Sequence, residues 1–431
     1  MEIIGSLILS LTQSILFYGK QIGISMLIFE VVCNGIILFV LNQKEKIQNK
    51  AGLWLMVPIV LLSSTYFIFA NRTFYVANIF VIFALNFIMY VILTNLKGTL
   101  TNYLYKTGLL FTDTVGEWQD GLKLSKEVVN EHLSVKKKTV NFKKIAKSVL
   151  IVCVVVGIVL ILLSSADSIF ANLFSGIGCI FTHINTANIF NLILRIVIMV
   201  MVYFLFLSFI LKVQEEFEED EYRREVEVKD TFTIKMLLVT LNIVYLVFCF
   251  IQIQSLFAKI NIRNSFDYAN YARSGFFQLM FVSFINLAVI LISNRYNAKK
   301  EKNIKILNLM LVVFTIIIAI SSMYRMHMYE MEYGLTYLRM FVYIILITEI
   351  IAFIPIVKYI LDDKFDFMKW CFGICIGAYC VANLMNIENI IVSRNLTRES
   401  IRSIDYNYLS NIASEDSYII LEDKLQDQNI D

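Results

Sequence analysis

The chain has 431 residues, 58% of them hydrophobic and 17% charged, with a formal net charge of +3. Its mean hydropathy is +0.69, and a soluble domain would carry about 25% charged residues. Composition therefore excludes an ordinary water-soluble globule, and the small net charge without a dense basic patch excludes a nucleic-acid partner.

The apolar residues fall in long blocks rather than amphipathic periods. A hydrocarbon core about 30 Å thick needs about 20 helical residues to cross it. No water is present there to satisfy the backbone, so each block is expected to be helical. The blocks are 3–18, 21–41, 52–70, 73–95, 148–165, 189–211, 234–257, 274–294, 304–323, 335–361 and 367–386. They define an all-α, polytopic transmembrane helix bundle of about 11 spans, or about 10 if 3–18 does not cross. That first block is short: Gly19, Lys20 and Gly23 allow a tight hairpin after it, and the alternative is that the block itself is re-entrant. Met1 and Glu2 lead straight into apolar residues without a basic region, so the segment is read as a retained span, not a signal peptide. The chain divides into N-terminal transmembrane helices (1–95), a cytoplasmic basic loop (96–147), a transmembrane core (148–386) and an extracytoplasmic C-terminal tail (387–431).

Loop charge sets the expected orientation. Alternate loops, at 42–51, 96–147, 212–235, 295–305 and 358–369, hold 26 of the 38 Lys and Arg residues, and the opposite set holds 11. The positive-inside rule places the first set in the cytoplasm. The expectation is a multi-pass protein of the cell membrane, its lipid bilayer partner on every side, with the N-terminus cytoplasmic and the C-terminus extracytoplasmic. Within 96–147, Phe111, Val115, Trp118, Leu122 and Val129 recur at helical spacing. The loop ends in Lys136, Lys137, Lys138, Lys143 and Lys144, a cluster that suits topogenesis or anionic lipid. The segment 212–233 is acidic and then mixed, a solvated helical extension or a docking site for a cytoplasmic protein partner. The stretch 166–188 is apolar without basic residues and is read as interfacial or re-entrant. The tail is expected to form two short helices, one continuing from the last span and one around Asp405 to Ala413. Pro58 and Pro355 both lie within spans, where neighbouring helices tolerate a kink.

Ionisable groups inside a membrane are costly and mark candidate sites. Glu30 and Glu349 lie near the middles of their spans, and Arg195 and Arg339 lie near span ends. Either glutamate suits a proton-coupled step, or a structural pairing with arginine or asparagine between helices. Asn34, Asn86, Asn242 and Asn286 are expected to bond across helices. A second constellation lies just beyond spans on the expected outer side: Asp167, then Asp267, Tyr268, Tyr271 and Arg273, then Tyr324, Arg325, His327, Tyr329, Glu330, Tyr333 and Arg339. Tyrosines and arginines there are interfacial anchors or the rim of a polar binding site. The seven cysteines show no CxxC or Cys/His spacing and are read as apolar packing residues. No phosphate-binding loop, nucleophile elbow or HExxH motif occurs. His132, His183 and His327 fall on opposite expected sides, so no metal and no cofactor is expected.

Four segments carry a family resemblance. They are SSADSIFANLF at 164–174, YANYARSGFF at 268–277, YGLTYLRM at 333–340, and NIENIIVSRN at 386–395 with IDYNYLS at 404–410. In this order they resemble bacterial polytopic membrane proteins of domain-of-unknown-function family 4173, close to family 4153, over roughly residues 160–412. Ser168 replaces a frequent proline, Glu388 a frequent aspartate, and the proline expected near Asp416 is missing. The resemblance implies an integral membrane protein of unestablished activity and supplies no catalytic residues. Three functions fit: a non-enzymatic protein with an outer-facing recognition or sensing surface, a secondary transporter using Glu30 or Glu349, or a membrane enzyme acting on lipid or envelope precursors. The small-molecule ligand is not specified by the sequence.

Overall fold

The computed structural model describes residues 1–69, 73–95, 98–116, 118, 121, 123–125, 186–215, 231–257, 265–297, 301–362, 364–397 and 405–427; of these, the side chains of 186–190, 231, 253–257, 265–276, 416 and 424–427 are not described. Among the described residues every regular element is helical. We number the α-helices α1 (Glu2–Phe17), α2 (Ile24–Gln43), α3 (Met56–Ile68), α4 (Tyr75–Thr94), α5 (Leu100–Gly116), α6 (Thr186–Lys212), α7 (Thr231–Phe257) and α8 (Ser265–Tyr296). They continue with α9 (Lys302–Tyr333), α10 (Tyr337–Leu361), α11 (Phe367–Leu384), α12 (Ile387–Leu396), α13 (Tyr406–Ile412) and α14 (Glu415–Asp427). A 3-10 turn, Lys50–Leu55, leads into α3.

Nine described helical segments are long and apolar enough to cross a membrane, and α1 is a shorter apolar helix. They coincide with nine of the eleven blocks; the block 148–165 lies outside the described residues, as do 166–188 for the most part and the basic cluster of 136–144. Lipid is the solvent these helices require. On α7, Phe232, Met236, Val239, Ile243, Leu246 and Phe250 form an exposed stripe at spacings of three and four. In water such a patch would drive association; in hydrocarbon it is solvated.

Two segments read as outer loops are helical instead. Residues 265–273 open α8, and 324–333 extend α9 to 32 residues. Both sequences are rich in residues that continue a helix, and a helix does not end where the bilayer does. Among its described residues the tail likewise holds three helices rather than two, and α12 does not continue α11. The break falls at Asn386, which adopts the left-handed conformation at φ 45° and caps α12 by accepting from the Asn389 amide at 3.4 Å.

The chain forms two units, 1–48 with 107–216 and 49–106 with 217–431. In the first, α1 packs on α2 and α6. Its Ser6, Ser10 and Ser14 repeat at i, i+4 and are all buried, and small residues at that spacing let backbones approach closely. In the second, α7 to α10 enclose Leu238, Ile290, Leu311, Phe353 and Ile356, while Ala319, Met326, Val342 and Leu346 form a neighbouring cluster.

Close approach is most demanding at Gly52, where the 3-10 turn meets α4. A Cβ there would lie 2.9 Å from the Met89 carbonyl oxygen and 2.9 Å from Leu93 Cγ. Gly373, inside α11, has nothing within 4 Å. Gly52→Ala is expected to destabilise the purified protein by about 1–3 kcal/mol, and Gly373→Ala to stabilise it by about 0.5–1 kcal/mol. Thermal unfolding in detergent would show the two shifts in opposite directions.

Candidate functional site

The α9–α10 connection is a tight break between two apolar helices. α9 ends at Gly334, whose φ of 80° and ψ of 175° suit glycine, and whose amide donates to the Glu330 carbonyl at 2.7 Å. Leu335 follows and is buried. Its backbone groups leave the helical ladder in a place where they cannot stay unpaired. Asn395 of α12 pairs with both: its Oδ1 accepts from the Leu335 amide at 2.7 Å, and its Nδ2 donates to the Leu335 carbonyl at 2.8 Å.

The neighbouring Arg394 holds the last turns of α9. Its Nε lies 3.4 Å from Glu330 Oε1. Glu330 Oε2 accepts from the Tyr343 hydroxyl at 2.8 Å and lies 3.7 Å from His327 Nδ1. Arg339, also buried, donates to the Gly334 carbonyl and sets its guanidinium 4.3 Å from the centre of the Tyr329 ring. The Tyr329 and Tyr333 rings are 4.7 Å apart. Each buried charge near this break thus has a stated partner, which burial demands.

Apolar packing seats the tail on the same place. Ile387, Ile391 and Val392 of α12 join Leu409, Leu421, Leu335, Met340 and Phe74 in one buried cluster. Burial of an aliphatic side chain of this size stabilises by about 1.5–3 kcal/mol as an upper estimate. Tyr408 of α13 accepts from the Tyr337 amide at 3.4 Å, and burial raises its phenol pKa above the ordinary value. Asp405 caps α13 by accepting from the Tyr408 amide at 2.9 Å. Glu388, almost fully buried in the first turn of α12, lies 3.5 Å from Thr73 Oγ1 and beside the Tyr337 phenol. An acid in the first turn is favoured by the helix dipole.

Of the residues read as an outer-face cluster, the structure brings Tyr329, Glu330, Tyr333 and Arg339 together. Asp267, Tyr268, Tyr271 and Arg273 lie on the first turns of α8, with side chains outside the described set, and Asp167 lies outside the described residues. Arg394, Asn395 and Tyr343 belong to the site although the sequence reading did not single them out as candidates. Arg394 and Asn395 stand in the segment NIENIIVSRN, so the motif itself was the available signal. Tyr343 is one aromatic residue among many in a span.

The intramembrane candidates lie apart. Glu30 on α2 is buried, and Asn34 Nδ2 lies 3.2 Å from its Oε2. Arg195 on α6 donates to Ser14 Oγ at 2.8 Å and to the Ser14 carbonyl at 3.1 Å, with its guanidinium 5.5 Å from the Tyr18 ring. It ties α6 to α1. Glu349 on α10 accepts from Ser283 Oγ of α8 at 2.8 Å, and its other oxygen is buried with no hydrogen-bond partner among the described residues.

Glu349 belongs to a polar seam through α7, α8, α9 and α10. Asn286 bridges Tyr245 at 2.8 Å and Thr315 at 3.1 Å. Ser293 donates to Asn308 at 2.7 Å, and Ser321 and Arg325 both donate to Gln252, at 3.0 and 3.2 Å. Asn242 reaches the Leu307 carbonyl at 3.2 Å. Asn286 and Asn242 therefore bond across helices as expected, and Asn34, Asn86 and Asn242 each also donate to a carbonyl one turn back in their own helices. Asn308 to Ser321 is thirteen residues of α9, about 20 Å along the helix axis at 1.5 Å per residue. Among the described residues no group of three or more His, Cys, Asp or Glu could hold a metal ion.

Nine candidate spans, lipid-facing apolar stripes and polar groups paired between helices define a multi-pass α-helical membrane protein. The chain belongs to the family described as domain of unknown function DUF4153, whose model matches residues 56–423. The match begins in the third hydrophobic block and ends within α14, so it takes in the α9–α10 break and most of the tail seated on it. No curated protein and no solved structure matches the chain.

Asn395→Ala would leave the Leu335 amide and carbonyl buried without their partners, at about 1–3 kcal/mol for each group. The tail from 387 onward should then be cut faster in limited proteolysis than in the parent protein. Asn407→Ala, at an exposed position of α13, should leave the cleavage rate unchanged.

Proposed function

We propose that this protein is a non-enzymatic membrane receptor or accessory subunit whose recognition surface is the α9–α10 break with the tail helices seated on it. The observation that carries the reading is the Arg394 and Asn395 clamp. It joins two segments about 60 positions apart that both carry the family resemblance, so the resemblance concentrates on one built surface. Two of its charges are also engaged, Glu330 by Arg394 and Tyr343, and Arg339 by the Gly334 carbonyl and the Tyr329 ring. That suits a docking platform, whereas catalysis needs convergent, poised groups around a reacting atom.

The platform faces outward in this reading, supported by the excess of Lys and Arg in the alternate loops. A single cysteine at position 405, in a background lacking the seven native cysteines, tests it. A membrane-impermeant thiol reagent applied to intact cells should label that position. Labelling only after the membrane is opened would overturn the outward assignment.

Proton-coupled transport is the second reading, favoured by one observation. Glu349 sits mid-span with a buried oxygen that has no hydrogen-bond partner among the described residues, and such groups mark proton relays. Proteoliposomes holding the parent protein should then dissipate an imposed pH gradient faster than those holding Glu349→Gln. Equal rates would end the reading.

A further inference from the structure

Between α9 and α10 lies an open groove of about 650 Å³. Its chemistry is graded along its length. Ile320 and Met323 of α9 and Ile347, Ile350 and Ile351 of α10 form the apolar part. His327, Glu330 and Tyr343 lie together at the end nearest the α9–α10 break. Ile320 precedes Glu330 by ten residues, about 15 Å along the helix axis. The groove thus runs from the hydrocarbon region to the interface, apolar first and polar last, as an amphiphile does.

The polar end selects the headgroup by charge. Glu330 is covered: one oxygen faces Arg394 at 3.4 Å and the other accepts from Tyr343 at 2.8 Å. The basic side chains are at the surface instead: His327 lines the groove, and Arg394 of α12 adjoins it beside Glu330. The Arg394 side chain is 58% exposed and that of His327 is 51% exposed, against 10% for Glu330. A guanidinium with free edges recognises phosphate through paired hydrogen bonds. A zwitterionic headgroup would bring an ammonium whose natural partner, the Glu330 carboxylate, is already engaged. A small soluble anion would leave the isoleucine wall without an occupant.

We propose that this groove binds one acyl chain of an anionic phospholipid, with the phosphate set against Arg394 and His327. The proposal names a ligand for the end of the bundle described above as a recognition surface. It rests on that reading for the location alone and is independent of which side of the membrane that end faces.

Native mass spectrometry of the full-length protein in detergent tests it, with phosphatidylglycerol and phosphatidylcholine of identical acyl chains as probes. The parent protein should retain phosphatidylglycerol at least about tenfold better, the ratio that corresponds to about 1.4 kcal/mol. Ile347→Trp fills the groove and should abolish that retention. Ile345→Trp, on the opposite face of α10, should preserve it and report on folding. Arg394→Gln should bring the ratio of the two lipids close to one. Equal retention of both lipids by the parent protein, or retention that Ile347→Trp leaves intact, would mean annular lipid only and would overturn the proposal. Because the measurement is made in detergent, it can succeed or fail independently of labelling at position 405.

Discussion

A peptide group taken out of water must find a hydrogen-bond partner, and inside a bilayer the helix supplies it automatically. The difficulty comes where a helix has to stop. Between α9 and α10 the chain turns within three residues, and the turn is buried under the tail, so neither helix nor water serves Leu335. Asn395 serves it instead, offering a carbonyl and an amide in the spacing of a peptide group. The rest of the site follows from that docking. Arg394, the preceding residue, is carried to Glu330; Tyr343 completes the carboxylate; and the apolar face of α12 settles over Leu335 and Met340.

The two kinds of polar residue in this membrane block do different physical work. Those of the seam are hydrogen-bonded between helices, as in Asn286 with Tyr245 and Thr315. In hydrocarbon, packing alone barely distinguishes helix from lipid, and such bonds fix which helices meet and at what height. The charges near the α9–α10 break are instead paired across the chain. Glu330 with Arg394 joins a span to a tail helix, and an ion pair at the margin of the bilayer retains some access to water. Arg195 on α6 plays a comparable joining role to α1, through the oxygens of Ser14 and the Tyr18 ring.

Much of this was legible in the sequence, and for a simple reason. A span is encoded by length and hydropathy alone, so α2, α4, α6 and α10 could be marked within a few residues. Helix ends were less legible, because Tyr324 to Tyr333 are polar enough to suggest a loop yet form the last turns of α9. The same blind spot hid α14. Glu330, Arg339 and Tyr329 stood out as charged or aromatic residues next to a span. Their partners did not, since nothing local in Arg394 or Asn395 says that a turn about 60 residues earlier lacks two hydrogen bonds. Long-range pairing is a property of packing, and the motif NIENIIVSRN signalled only that its segment mattered.

The tail is a structural continuation of the membrane block, and the central claim is that Asn395 stands in for the missing backbone partners of Leu335. Amide hydrogen exchange at Leu335 measures this most directly. That amide has left the helical ladder, so its protection depends on the Asn395 side chain. The account predicts slow exchange at Leu335 in the parent protein and fast exchange in Asn395→Ala, with the amides of mid-α10 unchanged in both. Fast exchange at Leu335 in the parent protein would contradict it.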